Sequence, residues 1–392
     1  MSTLFPYLGF ALLPLAAASG WWFARKGGVQ ATDQRCSTLS TDYFRGLNYL
    51  INEEQDLAID LFSKLLDEDP SMVETHLALG TLFRRQGDTS QAIHLHSNLI
   101  KSENLNDEQR SLALLELGRD YMKAGLLDRA EQPFLDLIDL GFYKSDAYEW
   151  LVMIYQQEKE WDRAIDMLDR QQKKDGNSAA TIAQFLCEKA EIARSGGDLN
   201  EAFHLVEQAL KRDPLAVRAT MIRAEILALR EENGAAIEEY KKIEQQNASY
   251  IPNIIHPLLK LYRQDGDQEE IIRYLTNLLK KHPSTTVLLA AVEQVQLMSG
   301  DRKAELFLVN QLKSKPSVRG LERLIELNLR HAEDDRAREG LYGLQMLTKQ
   351  LQEEKPEYQC SHCGFQAHHL HWQCPGCNNW NTIKPIVGVS GE

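Results

Sequence analysis

At 392 residues the chain has room for two or three ordinary domains, or for one long repeat array with small additions at its ends. Its formal charge of −13, with no basic run longer than pairs such as Lys241-Lys242 and Lys280-Lys281, repels a phosphate backbone and argues against nucleic acid as a partner. Leu, Ala, Glu, Gln and Lys recur throughout, Pro and Gly serve as punctuation, and no strand run stands out between Leu39 and Leu351, so the predicted class is all-α.

The first predicted element is a membrane anchor in residues 1–24. Leu4 to Ala24 are uncharged, and at about 1.5 Å rise per residue a helix of that length crosses a hydrocarbon core about 30 Å thick. Trp21, Trp22 and Phe23 supply an interfacial aromatic anchor. Arg25, Lys26 and Arg35 follow the apolar run, so the positive-inside rule places the rest of the chain in the cytoplasm. Ala16-Ala17-Ala18-Ser19-Gly20 would suit a signal peptidase, but no basic residue precedes the apolar run. An uncleaved single-pass span is therefore the reading adopted, with residues 25–38 as a juxtamembrane linker.

Residues 39–352 carry an internal period of 34. Gly46 pairs with Ala58 and Gly80 with Ala92, each displaced by 34, and Gly118 with Ala130 follows after a step of 38. Ala164, Ala202 and Ala236 continue the series with steps of 34, 38 and 34, and the two longer steps predict loops near Asn104 to Asp107 and Gly176 to Ser178. Bulky residues fall three after the small one and four after the Ala, at Tyr49, Phe62, Phe83, Tyr121, Phe134, Tyr155 and Leu168, and Pro70, Pro214, Pro283 and Pro316 close units. A small residue at a helix crossing lets two backbones approach while the large residue fills the groove beside it. This pattern resembles the tetratricopeptide repeat (TPR), in some eight or nine copies. It implies a superhelical solenoid whose first helices line an extended concave surface for a protein client. The aromatics read as packing.

After Pro356 charges thin out and the helical period is lost, marking a module at residues 356–386 with a short tail at 387–392. Of six cysteines, Cys36 and Cys187 stand alone as ordinary thiols, while Cys360-x-x-Cys363 and Cys374-x-x-Cys377 crowd together. Two such knuckles build a tetrahedral four-sulfur cage, so Cys360, Cys363, Cys374 and Cys377 are the predicted ligands of one metal ion. Zn2+ is favoured and Fe is the alternative, because both accept four thiolates. A module this small needs the ion to fold. The histidines at 362, 368, 369 and 371 read as a surface patch, one that could dock on the last repeats. The string Tyr358-x-Cys360-x-x-Cys363-Gly364-Phe365 with Cys374-Pro375-x-Cys377 resembles rubredoxin and the zinc ribbons. Asn378 stands where rubredoxin has a second knuckle Gly, and the segment between the knuckles is shorter.

No nucleophile elbow, P-loop or H-E-x-x-H motif occurs, so an enzyme is not expected. The order of anchor, repeats and rubredoxin-like tail resembles the lipopolysaccharide assembly protein B family of Gram-negative bacteria along the whole chain. That resemblance implies an adaptor on the cytoplasmic side of the inner membrane. Its implied partners are a membrane-bound AAA+ metalloprotease, the deacetylase of early lipid A synthesis whose degradation it promotes, and other inner-membrane lipopolysaccharide proteins. Two other readings are an electron-transfer tail on a TPR docking platform and a passive scaffold of an envelope-synthesis complex.

Overall fold

The computed structural model describes residues 30–392 apart from Pro70, Asn104, 176–177, 266–267 and 354. The anchor at 1–24 thus lies outside the described residues, and among these no helix is long and apolar enough to cross a membrane. Eighteen α-helices and three short strands are described, divided between Glu158 and Lys159 into two compact units.

The first unit holds α1 (Gln30–Ile51), α2 (Gln55–Glu68), α3 (Val73–Gln86), α4 (Thr89–Ile100), α5 (Asp107–Lys123), α6 (Leu127–Leu140) and α7 (Lys144–Gln157). Helix α1 begins inside the expected linker. Local chemistry sets many of the ends. Asp88 accepts from the Gln91 N–H at the start of α4, and Asn106 and Gln109 form a reciprocal capping box at α5. Gly87, at φ +92°, closes α3 in a left-handed conformation that a side chain would strain.

The periodic small residues do what the spacing predicts. A Cβ added at Gly46 would lie 2.7 Å from Phe62, and one at Gly118 would lie 2.6 Å from Phe134. Both phenyl rings are fully buried, so each glycine is the notch that lets one helix pair close. In the second pair His96 takes the aromatic's place and would meet a Gly80 Cβ at 2.4 Å. His96 is fully buried, and its Nδ1 lies 2.5 Å from Asp120 Oδ2. Asp120 also accepts from Arg84 at 2.7 Å, and Arg84 reaches Glu116 at 2.5 Å, which in turn accepts from Arg119 at 2.7 Å. Burial opposes ionisation of Glu116, but Arg84 and Arg119 outweigh it and hold the carboxyl below its ordinary range.

The second unit holds α8 (Trp161–Asp175), α9 (Ala179–Ser195), α10 (Leu199–Arg212), α11 (Val217–Leu229), α12 (Asn233–Gln246), α13 (Ile251–Asp265), α14 (Gln268–Lys281), α15 (Thr285–Ser299), α16 (Asp301–Ser314), α17 (Val318–His331) and α18 (Asp335–Glu353). A single turn of 3-10 helix, Ala248–Tyr250, leads into α13. One core cluster joins α11 to α15, with Tyr240, Ile243, Ile254, Leu258, Leu275 and Val287 among its buried members, and a second joins Leu288, Val292, Ala304, Leu308 and Leu327 of α15 to α17. Pro214, Pro283 and Pro316 each fall between one helix pair and the next, where their missing N–H breaks no ladder.

The two 38-residue steps do have inter-helix connections at the expected places, 101–106 and 176–178, but most of the added length lies beyond them. Helices α5 and α9 are each 17 residues long, against 14 for α3 and α7. Most of each insertion therefore extends a first helix by nearly one turn. A helical turn keeps its backbone groups bonded internally, whereas a longer loop would need new partners.

Candidate metal centre and its docking surface

After α18 the chain forms a small antiparallel sheet of β1 (Tyr358–Cys360), β2 (Gln366–Ala367) and β3 (Ile383–Pro385), in the order β2-β1-β3. Tyr358 pairs with Ala367 on one side and Pro385 on the other. Cys360 ends β1 and opens the first knuckle, while Cys374 opens the second.

The knuckles share one geometry. The Gly364 N–H donates to the Cys360 carbonyl at 3.0 Å, and the Asn378 N–H donates to the Cys374 carbonyl at 2.8 Å. Gly364 (φ +78°) and Asn378 (φ +56°) both adopt the left-handed conformation that closes such a turn. Asn tolerates this region better than other non-glycine residues, so the departure from the rubredoxin pattern leaves the turn intact.

All four sulfurs lie within 4.8 Å of one another, with Cys360 and Cys377 at 3.8 Å and Cys363 and Cys374 at 3.6 Å. A tetrahedron with metal–sulfur arms of about 2.3 Å has edges of roughly 3.8 Å, so the cage fits a Zn2+ or Fe ion in both size and donor chemistry. N–H groups of His362 and Cys363 point at Cys360 Sγ at 3.4 and 3.5 Å, and Thr382 Oγ1 lies 3.3 Å from it. Burial resists ionisation of this thiol, but those partners outweigh it and lower it to about 5, readying one thiolate.

No second ligand set forms. His362, His368, His369 and His371 are all exposed, and the four cysteines are the one candidate metal-binding group among the described residues. The histidines form a surface patch, but other residues dock the module. Trp372 stacks on Tyr250 at 5.4 Å with Arg218 over its ring, and Trp380 meets Phe185 edge-on at 5.9 Å. Leu370 joins the same core, Asn253 donates to the Tyr358 hydroxyl at 2.8 Å, and the Tyr250 hydroxyl lies 3.4 Å from the Ile383 carbonyl.

The tail continues along the same surface. The carboxylate of Glu392 accepts from Ser284 Oγ at 2.6 Å, from the Thr286 N–H and from Arg319 at 2.9 Å, while the Val318 N–H donates to the Val389 carbonyl. Phe185, Arg218, Asn253, Thr286 and Arg319 belong to α9, α11, α13, α15 and α17, the first helix of every pair in this unit. The first-helix surface expected to await a client is here covered by the chain's own C-terminus. Sequence reasoning raised docking on the last repeats but assigned it to the histidines and missed how much first-helix surface is covered, although a signal existed. The module's own buried residues are Cys360, Cys374 and Ile383, too few to shelter two tryptophans.

Comparison with known proteins agrees with this architecture. Residues 358–385 match the "rubredoxin metal binding domain" model, and residues 77–141 and 187–251 match a tetratricopeptide repeat model. A solved tetratricopeptide repeat protein from Parabacteroides merdae aligns with 80% of this chain and 99% of its own, at 12% identity and a TM-score of 0.35. Lipopolysaccharide assembly protein B of Escherichia coli strain K12 is 36% identical over 97% of this chain and 98% of its own length. Its Haemophilus influenzae counterpart is 31% identical over 96% and 97%. Helix pairs, cysteine cage and end-to-end identity converge: the chain belongs to the lipopolysaccharide assembly protein B family.

Proposed function

We propose that the chain is an adaptor held at the cytoplasmic face of the inner membrane by residues 1–24, where it regulates lipopolysaccharide synthesis. Its client is the deacetylase of the early lipid A pathway, which it presents to a membrane-bound AAA+ protease. The observation that carries this reading is family identity over 97% of the chain, a match long enough to reach into the apolar Leu4–Ala24 segment. The repeats, a fold whose use is protein binding, and the lack of any catalytic motif support a non-catalytic role. One span confines the adaptor near a membrane partner, and the repeats raise the effective concentration of a soluble client beside it.

Cys360, Cys363, Cys374 and Cys377 hold one ion, Zn2+ in preference to Fe. When bound, the ion supplies folding free energy on the order of 10 kcal/mol to the module. Docking across five helix pairs argues for a structural ion and against an electron-transfer tail.

Deleting residues 1–24 leaves a folded, metal-binding protein that no longer shortens the deacetylase's half-life in cells. Full complementation by that soluble form rules the mechanism out.

A further inference from the structure

The tail at 387–392 is held to the repeats mainly by one side chain. Val387 and Val389 are 78% and 57% exposed, and Gly388 and Ser390 are exposed as well. Glu392 alone sinks its side chain, leaving 13% of it exposed. Under the tail lies a gap of 130 Å³, bordered by Ser390 and Gly391 on one side and by Pro252, Arg319 and Gln352 on the other. A segment that buries so little apolar surface opens locally at small cost.

The carboxylate, by contrast, is fully received. Ser284 Oγ and the Thr286 N–H donate to its Oε2 at 2.6 and 2.9 Å, and Thr286 Oγ1 and Arg319 donate to its Oε1 at 2.5 and 2.9 Å. Ser284 caps α15 and Thr286 lies in its first turn, so the positive end of the helix adds to the guanidinium. Three residues earlier, the Val318 N–H at the start of α17 donates to the Val389 carbonyl at 2.8 Å. Every residue has such a carbonyl, and the Val389 side chain is mostly in solvent. These contacts therefore ask of a ligand only a carboxylate three residues beyond an accepting carbonyl.

The receiving surface continues past the tail. Thr286 and Arg319 also border a cavity of 460 Å³ on α13, α15 and α17, whose walls include His256, Glu293, Arg323 and Glu326. A contact that served only to tether the tail would need no such room beside it. We propose that Ser284, Thr286 and Arg319 form a docking cradle for an acidic segment of a partner protein, which Glu392 fills in cis as a displaceable stand-in. The proposal rests on the repeats being a protein-binding surface and names the chemistry of one contact on it. A tail tethered this closely competes at an effective concentration on the order of mM, so a partner displaces it by adding contacts in the neighbouring cavity.

The test is fluorescence anisotropy of a labelled peptide with the sequence of residues 384–392, amidated so that the glutamate side chain supplies its only carboxylate. It is titrated with the full chain in mild detergent, with a chain ending at residue 386 and with Glu392→Gln. Both variants keep the cysteine cage and every helix, and bound metal and helix content check their folding. The shortened chain is expected to bind the peptide at least tenfold more tightly than the wild type, and Glu392→Gln to bind it more tightly as well. Adding Arg319→Met to the shortened chain should lose that gain, and a peptide ending in Gln should not compete. Equal binding by wild type and both variants, no binding by any of them, or equal binding of the Glu and Gln peptides overturns the proposal. The adaptor reading is judged separately by the deacetylase's half-life in cells, so either can fail without the other.

Discussion

Replacing Trp372 by Ala separates docking of the metal module from binding of the metal. The half-buried indole stacks on Tyr250, carries Arg218 over its face and packs against the core of the second unit. Removing its apolar surface costs roughly 1.5 kcal/mol, the aromatic pair about 1 kcal/mol and the Arg218 contact about 0.5 kcal/mol. The sum, about 3 kcal/mol, corresponds to an undocked population raised roughly 150-fold. No helix lies within the module itself, so circular dichroism at helix wavelengths reports the repeats alone during denaturant unfolding. Trp372→Ala should move that helix transition to lower denaturant while metal content stays at that of wild type. His369→Ala, on the exposed patch, should move neither. If the helix transition is unchanged, or if metal is lost together with the indole, docking does not stabilise the repeats as argued.

Gly118→Ala drives a methyl group against Phe134 and should cost about 1–3 kcal/mol, seen as a lower denaturation midpoint. Arg84→Met takes the guanidinium from buried Asp120, leaving it His96, and leaves Glu116 with Arg119 alone, so a loss of about 3 kcal/mol is expected from the same measurement. Acid titration tests Glu116 and Glu392, both held below the ordinary 4.5; for Glu392 burial is outweighed by Ser284, Thr286 and Arg319. A depressed carboxyl contributes stability above its unfolded value and loses it as pH falls through the folded one. Stability should thus hold above about pH 5 and fall below 4.5, and Arg319→Met should shrink the Glu392 share of that loss. Chelation or Cys374→Ser should abolish amide protection across 358–385 while leaving α3 to α6 protected, as read by hydrogen exchange.

The repeat architecture was legible because its signal is periodic and its physics local. Gly46 with Ala58 and Phe62, or Gly118 with Ala130 and Phe134, recur at fixed spacing because the crossing of two helices recurs. The four cysteines were equally plain, since a Cys-x-x-Cys knuckle is a geometry encoded in consecutive residues. What escaped was which residues carry the interaction between distant segments. Nothing periodic links Trp372 to Tyr250 or Glu392 to Thr286, residues 122 and 106 positions apart. The extra residues of the long steps went into helix and not into the expected loops, for a related reason. A spacing count registers extra residues without showing whether backbone bonding favours a loop or another turn of helix.

The docked module changes what the ion does for the protein. A free ribbon would spend the metal's binding free energy on its own fold. Here Trp372, Trp380 and Leu370 reach the repeats from a loop whose path the cage and its sheet determine, so the ion also presents the residues that cover α9, α11 and α13. Loss of metal would expose Tyr250, Phe185 and the apolar surface around them in one step. The first-helix surface of the second unit is therefore part of an intramolecular core as long as the cage holds the module in place.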